Sequence, residues 1–129
     1  MFSTLLVEDN ENFRQLLSDT LLKRFPAIDV EESNDGEDAL CKMEYLRPDI
    51  IFMDIRLPGE NGLELTRKIK QVYEYTVIVI LTGHDLPEYR QRAFRNGADC
   101  FISKDSDTCM EDILARVEGA MVRKQRNES

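Results

Sequence analysis

The sequence predicts a single α/β domain, a parallel five-stranded sheet covered by helices on both faces. Three observations predict it. Strand-sized apolar runs alternate with helix-period segments five times along the chain. Serial βα units of this kind build parallel sheets with helices on either side. The first, third and fourth runs are apolar throughout, as strands buried on both faces are.

The first run is Leu5-Leu6-Val7, after which Phe13, Leu16, Leu17, Thr20, Leu21 and Phe25 recur at helical spacing until Pro26. Ile28 and Val30, interleaved with Asp29 and Glu31, alternate as a half-exposed strand does. A second helix turns Ala39, Leu40, Met43 and Leu46 inward and stops at Pro48. Ile50-Ile51-Phe52-Met53 is the third strand and ends at Asp54. A Pro58-Gly59 turn leads into a third helix with Leu65, Ile69 and Val72 on one face. Val77 to Leu81 form the fourth strand. Asp85 and Pro87 open the fourth helix in cap-then-proline order, and Asn96-Gly97 closes it. Cys100 to Ser103 make a short fifth strand. Thr108 and Glu111 have capping-box spacing ahead of a last helix with the stripe Met110, Ile113, Leu114, Val117 and Met121.

The alternating second strand and the short fifth are the expected edges. That gives the order 2-1-3-4-5, the flavodoxin-like doubly wound arrangement, a (βα)5 three-layer sandwich. No repeat or internal linker interrupts the series. Residues 1–123 therefore read as one domain, and 124–129 as a polar tail or the start of a linker.

The chain of 129 residues is long enough to bury a core without disulfides or a structural metal. It carries 17 Lys+Arg against 25 Asp+Glu, a net charge of −8, which argues against direct nucleic-acid binding by this segment. No apolar run approaches the roughly 20 residues of a membrane span. Glu8 and Asp9 fall where the apolar core of a secretory signal would sit, so none is expected. Cys41, Cys100 and Cys109 include no CxxC pair and His84 is the only histidine, so neither a disulfide framework nor a zinc site is expected. A cytoplasmic setting follows.

Ligands of an open α/β sheet bind beyond the carboxyl ends of its strands. Those ends carry Glu8 and Asp9, Asp54, Thr82-Gly83, and Ser103-Lys104. Two carboxylates about 4 Å apart repel by roughly 1 kcal/mol in water and about 4 kcal/mol at an effective dielectric near 20, so a cation is expected among them. Oxygen donors suit a hard divalent ion such as Mg²⁺, with Mn²⁺ as a substitute. Lys104 adds an ammonium and Thr82 a hydrogen-bond donor. Such a pocket supports phosphoryl transfer to a carboxylate, in which an Asp oxygen attacks phosphorus in line while metal and ammonium stabilise the equatorial oxygens. Asp54, ending a central strand between the acidic pair and Thr82, is the expected nucleophile; Glu8 and Asp9 are the expected metal holders.

In this order these residues resemble the receiver domain of two-component response regulators. The resemblance rests on Glu8-Asp9, Asp54 with Pro58-Gly59 following, Thr82-Gly83, Gly97-Ala98 and Lys104, and it spans about residues 4 to 122. It implies that Asp54 accepts phosphate from a sensor histidine kinase. It further implies Mg²⁺ held by Glu8, Asp9, Asp54 and the backbone carbonyl of Arg56. Lys104 would contact the phosphoryl group, and Thr82 would move toward it on activation. Phe101 falls at the family's switch position, an aromatic that turns inward when the threonine moves. The face made by the fourth helix, fifth strand and fifth helix would then change, altering homodimer or output contacts.

The stretch Phe101-Ile102-Ser103-Lys104-Asp105 resembles receivers joined to a helix-turn-helix DNA-binding domain of the LuxR type. Transcription is thus the implied output, with a stand-alone regulator acting through protein contacts as the alternative. Asp105 stands where many receivers carry a proline, so a trans bond is expected before it. Phe101 lacks a tyrosine hydroxyl, which leaves packing to carry any switch. Arg56 and His84 occupy positions that tune phosphate lifetime in such proteins.

Other classes fit less well. A phosphohydrolase of the haloacid dehalogenase type needs a second Asp where this chain has Arg56, and a cap domain for which there is no room. A flavodoxin-like electron carrier would have its flavin phosphate repelled by Glu8-Asp9-Asn10-Glu11. The complete acidic set argues against a receiver that only docks partners. The expectation is a signalling phosphoacceptor, an enzyme only toward its own phosphorylation and dephosphorylation. Singly, the residues have plainer roles: Asp9 as a helix cap, Thr82 as a strand-end residue, Lys104 as a solvated lysine, Phe101 as core. His84 reads as exposed and structural, the three cysteines as small buried or half-buried apolar residues, and Arg90, Arg92 and Arg95 as either a solvated face or part of an interface.

Overall fold

Alternate side chains of each apolar strand point to opposite faces of the sheet, and the two sets fill two separate cores. The computed structural model describes residues 1–128. Its strands are β1 (Ser3–Val7), β2 (Asp29–Ser33), β3 (Ile50–Asp54), β4 (Val77–Thr82) and β5 (Cys100–Ser103). Its helices are α1 (Glu11–Arg24), α2 (Gly36–Leu46), α3 (Gly62–Val72), α4 (Pro87–Arg95) and α5 (Cys109–Glu128). All four strand pairings are parallel, in the order β2-β1-β3-β4-β5. The reason is the one the sequence offers: β1, β3 and β4 bury nearly every residue, whereas β2 buries only Ser33.

Leu5, Val7, Ile51, Met53, Ile78, Ile80 and Phe101 face α2, α3 and α4, where Met43, Leu65, Ile69 and Ala93 meet them. Leu6, Ile50, Phe52, Val79, Leu81 and Ile102 face α1 and α5, against Leu17, Leu21, Ile113 and Val117. Each fully buried side chain of this size contributes about 1.5–3 kcal/mol relative to exposure. The register pairs Val7 with Met53, Asp54 with Leu81, and Thr82 with Ser103, so the strands end level along one edge of the sheet.

Several local expectations need correction. Val72 is 71% exposed, because the inward line of α3 runs Leu65, Ile69 and then Tyr73. Leu16 is 53% exposed, since Leu17, Leu21 and Phe25 form the buried line of α1. Asp85 does not cap α4; Leu86 takes that position without a side-chain bond, and Asp85 instead pairs with Arg90 at 3.4 Å. Thr108 bonds the Asp112 carboxylate at 3.0 Å rather than forming a capping box with Glu111. Cys41 is exposed, while burial pushes the Cys100 and Cys109 thiols above their ordinary range, which keeps them protonated and unreactive. The polar stretch from Lys124 continues α5 to Glu128, tied down by Lys124 Nζ on Asp49 (3.0 Å) and on the Met1 carbonyl (2.8 Å). Ser129 lies outside the described residues. No cis bond occurs among the described residues, as expected before Asp105. No described helix is long and apolar enough to cross a membrane.

Candidate functional site

Three helix caps that carried no weight in the sequence reading shape this edge. Asn10, Asp35 and Asn61 each leave the helical region and accept a bond from the first turn of α1, α2 and α3, at 2.9, 2.8 and 2.7 Å. Their signal is an Asn or Asp just ahead of a helical run, and such caps are worth roughly 1 kcal/mol each. Because Asn10 starts α1 directly after β1, Glu8 and Asp9 are confined to a tight turn.

Glu8 extends the β1–β2 pairing, its N–H donating to the Ser33 carbonyl at 3.0 Å, and it is only 3% exposed. Its carboxylate turns inward. Oε2 accepts from the Asn10 N–H at 3.0 Å, and Oε1 lies 2.5 Å from Lys104 Nζ. That second contact is an ion pair off hydrogen-bond alignment, so Oε1 is buried without a well-directed donor. Arg14 fixes the turn from α1, donating to the Glu8 carbonyl at 2.7 Å and to Glu32 at 3.1 Å.

Asp54 ends β3 with its Oδ2 3.5 Å from the same Lys104 Nζ. Lys104 follows β5, its N–H donating to the Thr82 carbonyl at 2.9 Å. Thr82 is fully buried, and its hydroxyl oxygen accepts the His84 N–H at 3.0 Å. Glu8, Asp54 and Lys104 thus meet, with Thr82 one backbone bond away. Asp9 and Arg56 have exposed side chains, and Arg56 joins the fold through a backbone bridge to Asn61. His84 is exposed as expected. Phe101 is buried, with the Arg90 guanidinium stacked 4.7 Å from its ring centroid.

Gly62 is the residue the sequence reading missed. A Cβ there would fall 1.9 Å from the Asp54 carbonyl oxygen and 3.0 Å from Ile55 Cα. Only glycine lets α3 start this close to the end of β3, where the Gly62 N–H donates to the Ile55 carbonyl at 2.7 Å. A lone glycine at a helix start is an ordinary feature, so sequence alone carried little signal.

Burial pushes the Glu8 carboxyl above its ordinary 4.5, with the Asp54 charge adding to the rise, although Lys104 and the Asn10 N–H oppose it. Between the unfolded and raised folded values, the folded chain therefore holds the extra proton. The stability this group contributes is fully present below 4.5 and is lost as pH rises through the folded value. Glu8→Gln should accordingly flatten the decline in urea midpoint from acid to neutral pH; a variant with the wild-type slope would contradict this.

Among the described residues no three metal-ligating side chains form a ready-made cage. The donor chemistry nonetheless fits a hard divalent ion: Glu8 and Asp54 offer carboxylate oxygens around Lys104, and Asp9, next to Glu8 in sequence, adds an exposed carboxylate.

Two carboxylates and a lysine thus converge at the carboxyl edge of a doubly wound sheet, where α/β domains of this class bind their ligands. Residues 4–118 match the response regulator receiver domain family, and the chain belongs to that family. It is 32% identical over 124 residues to the transcriptional regulatory protein TrcR of Mycobacterium tuberculosis, covering 96% of this chain and 47% of that protein. It is 36% identical over 125 residues to the response regulator ArlR of Staphylococcus aureus, covering 97% and 54% respectively. A solved LuxR-family two-component response regulator from Aurantimonas superposes with a TM-score of 0.79 at 32% identity, over 91% of this chain and 85% of that one. The chain spans about half the length of the curated relatives named here. It is a receiver domain of two-component signalling, the module that carries the phosphoryl group in this family.

Proposed function

We propose that Asp54 is the phosphoacceptor, charged in the cytoplasm by a sensor histidine kinase. Mg²⁺ would be held by Glu8, Asp9, Asp54 and the Arg56 backbone carbonyl. One observation carries this reading: the Lys104 ammonium stands 2.5 Å from Glu8 and 3.5 Å from Asp54, at the level end of the sheet. An Asp54 oxygen bonds to phosphorus as the phosphohistidine nitrogen leaves. Lys104 balances charge on the equatorial oxygens, and the Thr82 hydroxyl supplies a neutral hydrogen-bond donor. Mg²⁺, when bound, would supply the remaining positive charge that the transferred phosphoryl group needs.

Phosphorylation then shifts α4, β5 and α5 through Thr82 and Phe101, changing homodimer or output contacts. The domain acts as a signalling phosphoacceptor rather than as an enzyme on external substrates. The similarity to transcriptional regulators and to a LuxR-family protein supports a C-terminal helix-turn-helix output domain; a stand-alone regulator is the alternative.

Incubation with a small acyl phosphate and Mg²⁺ should add one phosphoryl group by intact mass. Asp54→Asn, or a chelator, should prevent it. Equal labelling of the variant would overturn the assignment.

Two stability predictions accompany it. Mg²⁺ at a hundred times its dissociation constant should stabilise the chain by about 2.7 kcal/mol. Because Glu8 and Asp54 share one ammonium, Asp54→Asn should stabilise the metal-free chain by about 1 kcal/mol. Thermal melts in chelator check the second, and a lower midpoint for the variant would contradict it.

A further inference from the structure

Phe13 has no role in the chemistry described so far, yet its ring faces the ammonium at the centre of the site. The Lys104 Nζ lies 4.5 Å from the ring centroid. We propose that Phe13 is a positioning residue for Lys104: its ring holds the amine at the gap between Glu8 and Asp54, ready to meet a phosphoryl group.

A lysine amine is a point charge on a flexible four-carbon stem, and it forms bonds in many directions. Here Glu8 Oε1 lies 2.5 Å from the amine and Asp54 Oδ2 3.5 Å from it, so both charged restraints come from the carboxylates. The aromatic face supplies a third, differently placed attraction, stronger for being mostly shielded from water. Its own position is fixed. The Phe13 N–H donates to the Asn10 cap at 2.9 Å, and the neighbouring Arg14 ties the same turn of α1 to the Glu8 carbonyl and to Glu32. Packing does not demand the ring. Phe13 is half-buried at the margin of the α1–α5 core, where a leucine would serve. What leucine cannot replace is the negative face presented to the cation.

The inference rests on the phosphoacceptor reading for its consequence, but not for its geometry. Phe13→Leu removes the ring and keeps the apolar bulk, whereas Phe13→Tyr keeps the ring. Phosphorylation by a small acyl phosphate at saturating Mg²⁺ should slow about fivefold in the leucine variant and stay near wild type in the tyrosine variant. By NMR of the unphosphorylated protein, the upfield ring-current shift of the Lys104 ε-protons should vanish with leucine and persist with tyrosine. Mg²⁺ affinity should stay near wild type in both. A leucine variant at wild-type rate, an unchanged lysine shift, or a tyrosine variant as slow as leucine would overturn the proposal. Should the leucine variant not fold, Phe13→Met makes the same comparison. A wild type that takes no phosphate would instead defeat the phosphoacceptor reading, and the lysine shift would still decide whether the ring holds the amine.

Discussion

Gly62→Ala should destabilise the chain by about 3 kcal/mol or more and abolish phosphoryl uptake. Few positions are so tightly closed. The added methyl carbon would lie 1.9 Å from the Asp54 carbonyl oxygen and 2.9 Å from its carbonyl carbon. Both obstacles are backbone, so no rotamer change relieves the overlap. Either α3 withdraws, breaking the Gly62 bond to the Ile55 carbonyl, or the end of β3 moves and takes the Asp54 side chain with it. The first outcome costs stability and the second costs chemistry. Gly119 is the control. It lies exposed in α5 with nothing within 4 Å of its added Cβ, so Gly119→Ala should stabilise the chain by up to about 1 kcal/mol. Urea denaturation followed by circular dichroism separates the two, and a Gly62→Ala midpoint at the wild-type value would show that the packing at the β3 end is looser than described.

Lys104→Met should cost about 3 kcal/mol at neutral pH, more than any exposed ion pair in the fold. The size comes from what is left behind. Glu8 is nearly inaccessible, and without the ammonium its carboxylate keeps only the Asn10 N–H as partner beside the charge of Asp54. The uncompensated charge is relieved by protonation, so the deficit should shrink as pH falls into the acid range. Adding Glu8→Gln to Lys104→Met should recover most of the loss, giving a double-mutant coupling that a merely packing role for the lysine stem would not give. Removing the amine also frees Glu8 Oε1, so Lys104→Met should bind Mg²⁺ more tightly while accepting phosphate more slowly. Urea titrations at two pH values and a Mg²⁺ titration test each part; a deficit that is the same at both pH values would count against the electrostatic origin.

The architecture was legible because strand burial is written in the strands themselves. Ile50-Ile51-Phe52-Met53 and Val77 to Leu81 have no polar position to expose, which places β3 and β4 inside the sheet, while Asp29 and Glu31 consign β2 to an edge. The strand ends then locate Glu8, Asp54, Thr82 and Lys104 together. Helix faces were less legible. Val72 and Leu16 fit an apolar stripe by spacing, but the inward line of α3 runs on from Ile69 to Tyr73 and α1 buries the neighbouring line, and only the packed partner decides such cases. Cap assignment failed on position: Asp85 has the residue type of a cap but lies one residue before the capping position, which Leu86 holds ahead of Pro87. Gly62 escapes notice, and Phe13 reads only as part of an apolar stripe, because their roles lie in what they approach, the Asp54 carbonyl and the Lys104 amine.

The most direct test is to locate the phosphoryl group on the chain. After exposure to a small acyl phosphate and Mg²⁺, borohydride reduces an aspartyl phosphate to a stable alcohol, and peptide mapping then reads its position. The site described above predicts a single reduced residue, Asp54, with Glu8 and Asp9 unmodified. Label on Asp9, on His84 or on any side chain remote from Lys104 would contradict it.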